Sequence, residues 1–115
     1  MILSITSLRL QSPFKIFKVY KYSYRVLKQI KKSPCVAVKT TGSWTKHYTM
    51  TLWRNEEEKL EFYKSGAHLD AMKNARQIAK EIASLNLEAD SFLGWKDAKM
   101  KLEKQGKKYT LHGRT

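Results

Sequence analysis

A single cysteine, Cys35, and two prolines in 115 residues exclude a good deal. A lone cysteine permits neither an intrachain disulfide nor a cysteine-built zinc site, which leads us to expect a reducing, cytoplasmic setting. No apolar run approaches the roughly 20 residues that a membrane span requires. The opening MILSITSLRLQS lacks a basic leader and is broken by Ser and Thr, so it reads as a first strand rather than a signal peptide. There is no glycine-rich phosphate loop or nucleotide fingerprint, and His47, His68 and His112 are not spaced as a metal-ligand set. Acid is scarce in two places. Residues 15–32 carry seven Lys/Arg and no Asp or Glu, and residues 96–115 carry seven more against Asp97 and Glu103. The net charge of +13 therefore belongs to the first helix and the tail, while residues 33–95 balance eight bases with eight acids. A field of this sign attracts polyanions but says little about the fold.

Three Trp, six Tyr and four Phe give enough aromatic mass for one folded domain. The domain is expected over residues 1–106, with 107–115 as a basic C-terminal tail. Met1–Leu10 predicts a strand with apolar residues on both faces, both of which need cover. Ser12-Pro13 opens a helix running from Phe14 to Lys32. In it Ile16, Phe17, Val19, Tyr20, Tyr24, Leu27 and Ile30 form the apolar set, opposite a stripe of Lys18, Lys21, Arg25, Lys28 and Lys32. Cys35–Thr40 and Tyr48–Trp53 read as strands on either side of a turn that includes Trp44.

Asn55 with Glu58 three residues on is a capping-box start, and Glu56–Glu58 place negative charge on the helix N-terminus. The spacing of Leu60, Phe62, Tyr63, Met72, Ala75, Ile78, Ala79 and Ile82 predicts a helix to Ser84, loosened at Ser65-Gly66. Asn86–Asp90 then connects to a short strand, SFLGW (Ser91–Trp95), and a last helix from Asp97 to Leu102 closed by Gly106. The tail either stays loose or adds a strand through Tyr109–Leu111. The order is α+β, a ferredoxin-like βαββαβ with an extra C-terminal helix. Met50 and Trp53 point to opposite faces of one strand, so a second layer is needed beyond the two helices, and a twin subunit is the expected cover.

His68 sits just past the Ser65-Gly66 break. It suits a general base, its ordinary pKa lying near about 6.5, or a haem ligand. It equally suits a structural histidine at a helix kink. Trp53, Phe62 and Tyr63 suit the walls of a slot for a flat molecule or plain core packing. Arg54 is placed to hold an anionic group or to sit exposed at a strand end. Cys35 reads as a small buried hydrophobe. The basic stripe with Tyr20, Tyr22 and Tyr24 invites a nucleic-acid reading, but the helical spacing turns the aromatics inward, which favours a solvated face.

The string TLWRNEEEKLEFYKSGAHLDAMKNAR resembles the dimeric α/β-barrel proteins typified by antibiotic-biosynthesis monooxygenases, and within them the branch around spheroidene monooxygenase. The shared features are a Trp closing the third strand, an aromatic inside the helix and a small-residue break before His. The resemblance spans residues 1–95. It implies a homodimer whose sheets close into a barrel, with a pocket between sheet and second helix for an apolar conjugated ligand. His68 would be the catalytic residue, and Trp53, Arg54, Phe62, Tyr63 and Met72 would bind substrate. It allows haem in some branches and cofactor-free oxygenation in others. The Asn, Trp and His of haem-degrading relatives fall here on Ser7 or a neighbour, on Phe62 and on Met72, so that activity is not implied. The alternative reading is a non-catalytic protein whose basic first helix and tail engage a polyanion such as nucleic acid.

Overall fold

The computed structural model describes residues 1–43 and 45–110, so the readings placed on Trp44, Leu111 and His112 lie outside the described residues. Five strands, β1 (Ile2–Leu10), β2 (Ala37–Ser43), β3 (Lys46–Trp53), β4 (Ala79–Glu88) and β5 (Lys107–Thr110), form one sheet. Its order is β2-β3-β1-β4-β5, with every neighbouring pair antiparallel. Helix α1 (Ile16–Lys31) follows a 3-10 turn at Pro13–Lys15, and α2 (Glu56–Tyr63), α3 (Gly66–Lys73) and the single turn α4 (Ala75–Ile78) link β3 to β4. Helix α5 (Trp95–Gln105) links β4 to β5. This is an α+β, ferredoxin-like arrangement with one additional helix and an edge strand.

Because side chains alternate along a strand, β1 sorts its residues between two faces. Leu3 and Ile5 stand opposite Leu52 and Met50 of β3 and Leu87 and Leu85 of β4. This face is closed by Ala98 and Leu102 of α5, with Ala89, Phe92, Leu93 and Trp95 packed around them. Leu3, Ile5, Met50 and Ala98 are fully buried, and each of the larger three contributes about 1.5–3 kcal/mol of burial. Within one chain this face is packed by α5 and the segment leading into it, and Tyr48, Leu85, Leu87, Phe92 and Trp95 are partly buried there. The other face carries Leu8, Ile82 and Trp53, and α1 to α4 lie over it.

Two stretches differ from the sequence reading. Residues 79–84 are strand, not helix, and Ser91–Trp95 is not a strand. Ile78, Ala79 and Ile82 fit a helical period, but Ala83, Leu85 and Leu87 alternate as well. Pairing with the central strand β1 from Leu10↔Ala79 to Ile2↔Glu88 decides for the sheet. Residues 91–94 become the approach to α5 and Trp95 its first residue; the N-cap is Gly94, not Asp97, which falls in the first turn. Gly106 closes α5 as expected, though for want of space: a Cβ there would lie 2.3 Å from the Leu102 carbonyl oxygen.

The outer face of α1 is the second surprise. Val19 and Ile30 are buried and Val26 half-buried, but Phe17, Tyr20 and Tyr24 are 76%, 58% and 64% exposed. The placement of these three in the buried set is corrected. One helix face can seat only the residues near a single angular position, and Val19, Val26 and Ile30 take that seat.

Candidate functional site

Asn55 caps α2 as its sequence predicts, its Oδ1 accepting from the Glu58 N–H at 2.9 Å. The Glu58 carboxylate is engaged by Arg54, which donates from Nε at 3.0 Å and from a terminal nitrogen at 2.8 Å. Arg54 is thus held in an exposed ion pair beside the helix start. The helix stops at Tyr63. Ser65 Oγ donates to the Glu61 carbonyl at 3.0 Å, and Gly66 takes the left-handed φ of +60° that starts α3. Gly66→Ala is expected to cost about 1–2 kcal/mol, read as a drop in the thermal midpoint, with its Cβ 3.0 Å from the Gln29 side chain.

Gln29 of α1 staples this junction. Its amide donates to the Ser65 carbonyl at 2.9 Å and the Phe62 carbonyl at 3.3 Å, while its oxygen accepts from the His68 backbone N–H at 2.8 Å. The free helix ends of α2 and α3 are thereby satisfied by one side chain. Gln29→Ala is expected to destabilise the fold by about 1–3 kcal/mol. Gln29→Glu keeps the acceptor and loses the donor, so urea denaturation should show only partial recovery.

The staple fixes where the His68 ring lies. It stacks on Tyr63 with ring centroids 4.6 Å apart and planes 7° from parallel, and meets Phe62 at 5.2 Å. Its Nδ1 is buried and has no partner in hydrogen-bonding geometry. Burial pulls the His68 pKa below the ordinary histidine value, an effect only partly offset by the nearby Tyr63 carbonyl. The imidazole is therefore neutral at pH 7 and able to accept a proton. Tyr63 is anchored by a 2.7 Å hydrogen bond between its hydroxyl and Ser4 Oγ. Burial raises the phenol pKa, and the Ser4 and Thr51 hydroxyls oppose the rise.

Two hollows meet at His68. One, about 390 Å³, is lined by Thr6, Tyr63, His68, Met72, Ala75, Ile82 and Ser84. The other, about 170 Å³, runs between α1 and the sheet and shares His68, Met72, Ala75 and Ile82. The larger falls within the size range of small-molecule sites. Of the residues singled out from the sequence, Tyr63, His68 and Met72 reach these walls. Trp53 and Phe62 stand one layer behind, ring centroids 5.2 Å apart, with Trp53 fully buried and its Nε1 donating to Thr51 Oγ1 at 2.9 Å. Cys35 is half-buried, its thiol pushed up by burial and bonded to the Ala37 carbonyl at 3.2 Å. Ser4 and Gln29 carry no sequence signal, since only the tertiary fold brings them to Tyr63 and His68. Lys59 is likewise hidden from sequence reading: its side chain is 3% exposed, paired with Glu56 at 2.9 Å, its nitrogen 5.8 Å from the Tyr63 ring centre.

Among the described residues neither hollow is lined by a Lys or Arg that would meet the two propionates of a haem, so those walls do not fit it. Among the described residues there is also no group of three or more His, Cys, Asp or Glu able to hold a metal ion, and no helix long and apolar enough to cross a membrane.

No family model matches the sequence, and no curated protein matches it. Solved structures do match. A conserved protein from Methanosarcina mazei superimposes with a TM-score of 0.70 at 11% identity, covering 77% of this chain and 92% of that one. A protein described as an antibiotic biosynthesis monooxygenase gives 0.68 at 9% identity, covering 79% and 100%. SnoaB, a cofactor-independent oxygenase from Streptomyces nogalater, gives 0.62 at 9% identity, covering 80% and 95%. At such identities the likeness is one of fold. The chain has the ferredoxin-like fold of the antibiotic biosynthesis monooxygenases.

Proposed function

We propose that this protein binds a small, flat, electron-rich molecule in the hollow beside α3 and that His68 removes a proton from it, the opening step of a cofactor-free oxygenation. The observation that carries the reading is the partnerless, buried Nδ1 of a neutral histidine at the edge of a largely apolar chamber. A buried polar atom without a partner is costly in a folded protein, and a ligand hydroxyl or acidic C–H would supply what it lacks. The resemblance of the fold to SnoaB, a cofactor-independent oxygenase, supports the same chemistry.

An anthrone illustrates the balance. Loss of a proton to His68 leaves a carbanion-enolate whose own electrons reduce O2; one oxygen stays as a new carbonyl and the other leaves as water. The protein then has three tasks: orient the ring against Tyr63, take the proton and exclude water. Met72, unbranched and half-exposed at the mouth of both hollows, adapts to the shape of what enters. Trp53 and Phe62 stiffen the wall from behind. The test is oxygen uptake and quinone absorbance with dithranol as the probe. Uptake matched one-to-one by quinone, well above the spontaneous rate, is the expected outcome. Binding of dithranol with no acceleration would overturn the oxygenase reading.

A further inference from the structure

The outward side of α1 is not an ordinary solvated helix face. Phe14 in the preceding turn is 86% exposed, and Phe17, Tyr20 and Tyr24 continue the row along the helix. Isolated apolar groups on a surface need no explanation, but a contiguous row does. At 100° per residue, Phe17, Tyr20 and Tyr24 fall within an arc of about 60°. Lys28, Lys21, Arg25 and Lys18 occupy the adjoining arc on one side. On the other side the row borders the β2–β3 hairpin, where the Tyr20 ring meets His47 edge-on at 6.5 Å. Lys28 Nζ lies 5.4 Å from the centre of the Tyr24 ring, so the two rows touch.

The charge selects the occupant. Residues 15–32 hold seven bases and no acid, so a second copy docked on this face would bring like charges together. The partner is therefore anionic, and it must also offer something to four open aromatic rings. A lipid surface suits a helix whose apolar face is free to sink between flanking cations. Here that apolar face is already spent on the sheet, and the aromatic row has the cationic row along one side. Two parallel rows, one of rings and one of cations, match a strand whose bases and phosphates run side by side.

We propose that the outer face of α1 is a docking surface for single-stranded nucleic acid, bases stacking on Phe17, Tyr20 and Tyr24 while phosphates follow Lys18, Lys21, Arg25 and Lys28. The readout is sequence-blind, since every base has a π-face, and duplexes bind more weakly because their bases are already stacked. The surface is separate from the His68 chamber and stands or falls independently of the oxygenase reading.

The test is fluorescence anisotropy of a labelled oligothymidylate with the full chain, against a duplex of equal length, over a range of salt. We expect single strands to be preferred. Tyr20→Ala with Tyr24→Ala should weaken binding about fivefold or more per ring with the salt slope unchanged. Lys18→Gln, Lys21→Gln and Lys28→Gln together should lower the slope by about 2. All of these positions are exposed, so circular dichroism should show the variants folded. Equal affinity for single strand and duplex, untouched by the aromatic substitutions, would overturn the proposal. So would tighter binding to phosphatidylserine vesicles that the aromatic substitutions abolish, since that outcome assigns the face to a membrane.

Discussion

His68→Gln is expected to lower oxygen-dependent turnover of dithranol by about 10²- to 10⁴-fold, the usual contribution of a positioned general base. Binding should change little, because glutamine keeps bulk at the wall and the Gln29 staple holds the backbone N–H of residue 68, not its side chain. A KM close to that of the wild type with a collapsed kcat is the signature sought. The pH profile carries a second, signed expectation. In the proposed reaction His68 acts as neutral imidazole, and burial holds its pKa below the ordinary value. The rate should therefore persist as pH falls past the ordinary histidine pKa of about 6.5 and decline only as pH passes the lower folded value. Stability follows the same sign. The unfolded chain binds the His68 proton more readily than the folded one, so this residue costs stability progressively below the unfolded pKa. In His68→Gln that share of the acid sensitivity should disappear, which urea titrations at several pH values would register.

Trp53→Ala is expected to destabilise the fold by about 3–5 kcal/mol, a large share of the roughly 5–15 kcal/mol available to a domain. The side chain is fully buried and joins Ile30 of α1 to Phe62 of α2 in one cluster. Removing it strips Phe62 and Tyr63 of backing at 5.2 and 6.3 Å and leaves Thr51 Oγ1 without its indole donor. Trp53→Phe should recover most of the packing and lose the hydrogen bond, giving an intermediate denaturation midpoint. A Trp53→Ala protein as stable as the wild type would mean that the wall behind the chamber is not built as described. Trp53 thus acts on the site through Phe62 and Tyr63 and does not line the hollow itself.

Much of this was legible in the residues. The alternation in β3, the Asn55 cap, the Ser65-Gly66 break and the position of His68 after it follow from local chemistry, and local chemistry is what a sequence displays. The fate of residues 79–84 does not, because Ile78, Ala79 and Ile82 satisfy helical and strand periods alike. Only the vacancy beside β1 resolves the choice. The orientation of α1 was hidden for a related reason. Phe17, Tyr20 and Tyr24 are three and four residues apart and form a helical stripe of their own, turned well away from Val19 and Ile30, so apolar spacing alone does not say which stripe meets the sheet, and the sheet has room for one. The covering of the second sheet face by α5 turned on Ala98 and Leu102, a small residue and one leucine in a lysine-rich helix of weak apolar pattern. Gln29 gave no signal, since its bonds to Phe62, Ser65 and His68 exist only once α1 has packed on the α2–α3 junction.

The central claim is that His68 presents a neutral imidazole, its buried Nδ1 unpartnered, to a chamber that takes flat molecules. Its most direct test is side-chain NMR of 15N-histidine-labelled protein, following the His68 ring nitrogens through a pH titration with and without dithranol under nitrogen. The account predicts a neutral ring at pH 7, a pKa below the ordinary histidine value and a shift of the Nδ1 resonance when the probe binds. A ring that titrates at or above the ordinary value and ignores the probe would contradict it.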